Sequence, residues 1–155
     1  MSRRIVTIAL LLGAVLLTFA GCVTSNLAME TPSGFARYTE GEGIRIISPE
    51  GVVARARVVD NDPPQTIEFW SEALKRQLEM SGYFLVDASD FQAVEGPGTL
   101  YEWVAPVNGE DWIYLTAIVV SESEIVIVEA AGEAGEYDLY RDAIRDSLRS
   151  ISTAE

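Results

Sequence analysis

Acidic side chains fall in close pairs at three places: Asp60 with Asp62, Glu110 with Asp111, and Glu122 with Glu124. Paired carboxylates are the raw material of general acid–base and glycosidase chemistry. All three pairs sit at predicted turns. Exposed acids are ordinary there, and no apolar setting moves their pKa values apart. Asp60-Asn61-Asp62 also offers three oxygen ligands and starts like a calcium loop. The Pro63-Pro64 that follows lacks the glycine and distal glutamate of an EF-hand, so at most a weak Ca²⁺ site is on offer. Arg55 and Arg57 share one face of a predicted strand. They form either an anion-binding pair or a solvated face paired with nearby acids, and the second is the commoner arrangement. Trp103 and Trp112, with Tyr101 and Tyr114, offer an aromatic platform for a ligand. Cross-strand packing in a core is the more usual use of such a cluster.

What is missing narrows the chemistry further. The chain has 155 residues, no histidine and one cysteine. Every mechanism that needs an imidazole base or ligand is gone. A single cysteine forms no intramolecular disulfide, and no Cys/His zinc site can be assembled. No phosphate-cradling glycine loop and no Gly-x-Ser-x-Gly elbow is present. No metal ligand set, cofactor motif or catalytic residue is assigned, and the chain is not expected to be an enzyme. With 24 acidic and 11 basic residues it also lacks the basic stripe of a nucleic-acid binder.

The cysteine has a different chemistry. Arg3 and Arg4 precede an uncharged run over residues 5–20, which is 16 residues rich in Leu, Ile, Val and Ala. A transmembrane helix needs roughly 20 apolar residues, so this run fits a signal-peptide core better. Phe19-Ala20-Gly21-Cys22 follows. It resembles the bacterial lipobox, with Phe19 standing where Leu is commonest. The resemblance implies cleavage by signal peptidase II between Gly21 and Cys22. Cys22 would then carry a diacylglyceryl group and an added acyl chain such as palmitate. Two or three chains anchor firmly, at ~0.8 kcal/mol per buried CH₂, where one does not. The competing readings are a plain cleaved signal peptide and an uncleaved single-pass anchor. Val23, in place of Asp after the cysteine, points to the periplasmic face of the outer membrane over the inner membrane.

Removing residues 1–21 leaves 134 residues. The lost piece carries two of the basic residues and no acid, so the net charge moves from −13 to −15. Such a domain is repelled by anionic headgroups. Residues 22–34 read as the lipidated cysteine and a flexible tether reaching at most ~40 Å at ~3.3 Å per residue. Residues 35–155 read as one globular domain.

The elements that must position these groups follow from periodicity. Strands are predicted over 35–40, 43–48, 52–59 and 83–88. A helix is predicted over 65–80, capped by Asp62 with Pro63 in its first turn, and Ile67, Trp70, Leu74 and Leu78 form its stripe. Glu72–Arg76 and Lys75–Glu79 are spaced as i,i+4 pairs. Gly82 suits a left-handed helix end. Residues 89–97 read as a connection. Strands over 99–107 and 110–120 are joined by Asn108-Gly109, the strongest short hairpin signal available. That loop sets Trp103 opposite Tyr114 and Ala105 opposite Trp112. A third strand covers 124–130, residues 132–135 read as a loop, and a last helix spans 137–151. Tyr137, Tyr140, Ile144, Leu148 and Ile151 form its apolar stripe. Asp138, Asp142 and Asp146 each precede an arginine by three, which describes a salt-laced outer face. Both faces of the sheet read as apolar, so helices are expected on each side.

This order, with Ser81-Gly82-Tyr83, the Asn108-Gly109 hairpin and the anchors of 137–151, resembles the PsbP/DcrB-like proteins over roughly residues 35–152. The resemblance implies an α+β fold, an antiparallel β-sheet of about five to six strands flanked by two main helices in an α/β/α sandwich. It also implies an accessory subunit or adaptor in a membrane assembly, and several DcrB-like members are lipoproteins. No family site residue carries over, because the matching positions are structural. The expected function is therefore a non-catalytic cell-envelope lipoprotein that binds an envelope protein partner. The alternative is a small-ligand or Ca²⁺-binding lipoprotein using Asp60 and Asp62 or the Trp103/Trp112 face.

Overall fold

Val107 pairs with Glu110, and the register then runs as a two-residue loop requires, with Ala105 opposite Trp112 and Trp103 opposite Tyr114. The computed structural model describes residues 26–38, 43–107 and 109–154. The signal segment, Gly21 and Cys22 lie outside the described residues, as does Asn108 itself.

Seven strands form one antiparallel sheet. They are β1 (Ala36–Tyr38), β2 (Ile44–Ile47), β3 (Val53–Asp60), β4 (Phe84–Gln92), β5 (Pro97–Val107), β6 (Glu110–Val120) and β7 (Glu124–Glu133). Their spatial order is β1-β2-β3-β7-β6-β5-β4. The count exceeds the five to six expected because the short β1 pairs with β2 as a full member of the sheet. The predicted connection over 89–97 is also mostly strand. β4 continues to Gln92, with Asp90 opposite Thr99 and Phe91 opposite Gly98. Gly98 makes this pairing possible, since a Cβ there would lie 2.3 Å from the Phe91 ring. A bulge between Leu85 and Asp87 shifts the register of β4.

One face of the sheet carries Leu100, Leu115, Ala117, Val128, Ala130, Ala54 and Ile46, all buried. Tyr137, Ile144, Leu148 and Ile151 from the C-terminal segment join that core. The segment is not the single helix predicted over 137–151. It divides into α2 (Ala134–Asp138), α3 (Arg141–Ser147) and a 3₁₀ turn (Leu148–Ser150). The break occurs where Leu139 and Tyr140 donate to carbonyls three residues back, which tightens the backbone. The predicted loop over 132–135 is taken up by the end of β7 and the start of α2.

The opposite face receives α1 (Ile67–Met80). Its stripe of Ile67, Trp70, Leu74 and Leu78 is half-buried. Beneath lie Tyr101, Trp103, Thr116 and Ile118, all buried. Thr66, not Asp62, caps this helix, its hydroxyl accepting from the Phe69 N–H at 3.4 Å. A proline disfavours helical backbone in the residue before it, so the Pro63-Pro64 pair delays the helix. Glu72–Arg76 and Lys75–Glu79 close no ion pair. Gly82 takes the left-handed conformation, at φ +87°, as expected.

Residues 26–34 correct the tether reading. Asn26 and Ala28 donate to the carbonyls of Ala154 and Ser152, and Ser152 donates back to Ala28. Met29 is buried in the core, with Leu27 packed against it. Two apolar side chains and a paired backbone are enough to seat this stretch on the domain. The expected tether is therefore not free over 26–34, and residues 22–25 lie outside the described residues. Among the described residues no helix is long and apolar enough to cross a membrane.

Candidate functional site

The proposed ligand positions do not converge. Asp60 and Asp62 are exposed, while Asn61 between them is buried. Its amide nitrogen donates to the carbonyls of Gln65 and Ser121, and its oxygen accepts from the Gln65 N–H and the Trp70 indole at 2.8 Å. The Asp60-Asn61-Asp62 stretch is thus a knot joining β3, α1 and the β6–β7 turn. Among the described residues no three Asp, Glu, Cys or His side chains gather as a metal site. Trp103 is fully buried, and its indole donates to the Thr116 hydroxyl at 3.1 Å. It is core, closed to a ligand. Trp112 is half-buried at the hairpin end of β6. Trp103 and Trp112 do not form one exposed platform.

Two polar clusters that sequence reasoning did not assemble take their place. The first lies under the C-terminal segment. Glu102 is fully buried, on the face otherwise lined by Leu100 and Leu115. Arg141 bonds one of its oxygens and Arg145 the other, the latter at 3.0 Å. Tyr137 adds its hydroxyl at 3.4 Å. Arg145 also reaches Asp87 at 2.6 Å, and Arg141 also bonds Asp138. Burial, then the Glu102 charge, pushes the Tyr137 phenol well above its ordinary range. The arginines of α3 thus turn partly inward, where i,i+3 spacing had placed them on an outer face. Of the three i,i+3 pairs, only Asp138–Arg141 closes. The signal was present in the sequence. Glu102 falls between Leu100 and Val104 at a spacing of two and so shares their face, and Tyr137, Arg141 and Arg145 recur every four residues.

The second cluster lies on the α1 face of the sheet. α1 covers β5 and β6 there and leaves the β1–β2–β3 half open. Tyr38, Ile47 and Val53 are each between 38% and 40% exposed. Register aligns Tyr38 with Arg45, Arg45 with Arg55, and Arg55 with Glu129 across four strands. Arg55 donates from Nε to Glu129 Oε2 at 2.6 Å, and Arg57 lies 3.8 Å from the same oxygen. Tyr114 donates its hydroxyl to the other Glu129 oxygen. Burial works to raise the Glu129 carboxyl. The Arg55 and Tyr114 hydrogen bonds and the arginine charges outweigh it and hold Glu129 below the usual range. Tyr38, Arg45, Val53, Arg55, Tyr114 and Glu129 line a groove of about 340 Å³. Arg55 and Arg57 were visible as a pair in the sequence. Arg45 and Glu129 join them only through strand pairing.

The fold has solved counterparts. LpqN of Mycobacterium tuberculosis, a protein involved in cell envelope biogenesis, superposes with a TM-score of 0.61 at 13% identity, over 84% of each chain. Cyanobacterial PsbP from Synechocystis superposes with a TM-score of 0.53 at 9% identity, over 92% of this chain and 100% of the other. A protein of unknown function from Pseudomonas aeruginosa gives 0.50 at 10% identity, over 78% of this chain and 98% of the other. Comparison with protein families and with curated proteins finds no match. At these identities the likeness is one of fold, and the sheet with its two helical layers is PsbP-like.

Proposed function

We propose that this chain is a lipid-anchored, non-catalytic accessory domain of the bacterial cell envelope, which binds an envelope protein partner. One observation carries the reading. A lipobox-like Phe19-Ala20-Gly21-Cys22 stands three residues ahead of a domain already seated at Asn26. Acylated at Cys22, the domain would sit within ~13 Å of the lipid surface, four steps of ~3.3 Å. That position suits a protein that acts on neighbours in the same membrane, on the periplasmic face of the outer membrane given Val23.

Two further features support it. LpqN, which shares the fold, is involved in cell envelope biogenesis. Glu110 and Asp111 are exposed at the start of β6, Asp60 and Glu124 pair across β3 and β7, and the buried Glu102 carboxylate is consumed by two arginines. A nucleophile or base with free lone pairs and a shifted pKa is what a catalytic reading would need.

The anchor is tested by Cys22→Ala, which should abolish labelling by a fatty-acid analogue and leave a larger precursor. Unchanged processing would refute it. The partner is tested by in-cell crosslinking and mass spectrometry, with Cys22→Ala as the mislocalised control. One dominant envelope protein, lost in the control, is the expected result. An identical background in both would overturn the adaptor reading.

A further inference from the structure

Arg45 and Arg55 stand directly opposite one another on β2 and β3. Like charges in that position destabilise a sheet. Glu129 neutralises Arg55, while Arg45 has no acidic partner among the described residues. The Arg55–Glu129 bond uses Nε, which leaves the terminal guanidinium nitrogens for another acceptor. Glu129 is itself spent, one oxygen on Arg55 and the other on Tyr114. It therefore orients Arg55, and its single negative charge stands against Arg45, Arg55 and Arg57, so these four groups together stay net positive.

The surroundings of this cationic pair are apolar. Val53, Ala131, Tyr38 and Tyr114 line the groove beside it. Its volume of about 340 Å³ lies at the small end of the ~300–1,000 Å³ usual for small-molecule sites. A chain of net charge −13 has few cations, and three of them, Arg45, Arg55 and Arg57, share this one sheet surface.

We propose that the groove is a binding site for a small soluble organic anion, a phosphate or carboxylate carried on an apolar body. Arg45 and Arg55 grip the anionic group through charge-assisted hydrogen bonds. The apolar body lies against Val53, Ala131, Tyr38 and Tyr114. This site goes beyond the adaptor reading and does not depend on it.

The test is isothermal titration calorimetry on the full chain in non-ionic detergent. Phenyl phosphate and phenylacetate are the probes. Inorganic phosphate supplies the charge alone and benzyl alcohol the apolar body alone. At least one probe should bind at a single site. Benzyl alcohol should bind at least about tenfold more weakly, the least that a charged hydrogen bond is worth, and inorganic phosphate at least about tenfold more weakly for want of the buried ring. Arg45→Gln should weaken the probe by the same factor with an unchanged circular dichroism spectrum. Arg76→Gln, the same charge change on the exposed side of α1, should leave it unaltered. Binding should also weaken as salt rises. No binding by either probe would overturn the proposal. So would benzyl alcohol or inorganic phosphate binding as well as the probes, or equal losses in Arg45→Gln and Arg76→Gln.

Discussion

Glu102, fully buried in the middle of β5, accepts a hydrogen bond from Arg141 on α3, 39 residues further along the chain. The contact pins the C-terminal segment to the sheet just after the backbone break at Leu139 and Tyr140. Arg141 also lies over the Tyr137 ring, 5.4 Å from its centre, so α2 and α3 are tied through one guanidinium. The break thus costs little rigidity, because both short helices are fixed to the same carboxylate.

Glu102→Gln should therefore destabilise the domain strongly. Removing one partner of a fully buried pair costs ~3–5 kcal/mol, and the arginines here are about a third exposed and can rehydrate. A loss of about 2–4 kcal/mol is expected from urea denaturation. Arg145→Gln, which leaves Arg141 in place, should cost less. A Glu102→Gln protein as stable as the parent would show that the network contributes no net stability.

Asn61 holds three elements with one amide. Asn61→Ala strands the Trp70 indole N–H and the carbonyls of Gln65 and Ser121. Each buried group left unpaired costs about 1–3 kcal/mol, and water can reach some of them, so a loss of about 2–4 kcal/mol is expected. Tryptophan emission should move to longer wavelength as Trp70 loosens. Unchanged emission and stability would mean that the knot is dispensable.

Acid should weaken the fold through carboxylates that are held ionised. The Arg145 hydrogen bond keeps Asp87 below its ordinary 3.8, against the opposing effect of burial. Glu129 is likewise held below its ordinary 4.5, its partners outweighing burial. Both groups bind protons more readily in the unfolded chain. Their stabilisation is complete above these ordinary values and is lost as pH falls through the lower folded ones. The melting temperature should stay level from about pH 7 to 5.5 and drop below about pH 4.5. Glu129→Gln should give a shallower acid limb, whatever its stability at neutral pH. An equally steep limb would remove Glu129 from the account.

The parts of this architecture legible in the sequence are those set by local rules. Asn108-Gly109 dictated the β5–β6 register, and alternation along both strands sorted their two faces correctly. The stripe from Tyr137 to Ile151 named the residues that reach the core, though not the turn at Leu139, because periodic anchors persist across a single tightened turn. Met29 gave no such signal. A lone methionine among small polar residues has no period, and its burial depends on the tail at 152–154, more than a hundred residues away. The open groove was legible only in half. Arg55 and Arg57 alternate on one strand, but Arg45 meets Arg55 through pairing, and no local pattern reveals that α1 stops short of them.

The same pairing makes a prediction about stability that runs opposite to binding. Arg45 and Arg55 repel across β2 and β3, and Glu129 pairs with Arg55 and Arg57 but not with Arg45. Replacing Arg45 by glutamine removes the repulsion, keeps a long polar side chain on the strand, and strands no buried partner. Opposed like charges cost roughly the ~0.2–1 kcal/mol that favourable cross-strand pairs gain. Arg45→Gln should therefore raise the melting temperature by about 1–4 °C in low salt. The gain should shrink near 1 M salt, where the screening length is only ~3 Å. A residue kept at a cost to the empty fold, and whose loss weakens an anionic probe, is one retained for its ligand. A fall in melting temperature would instead show Arg45 to be a stabilising member of the sheet.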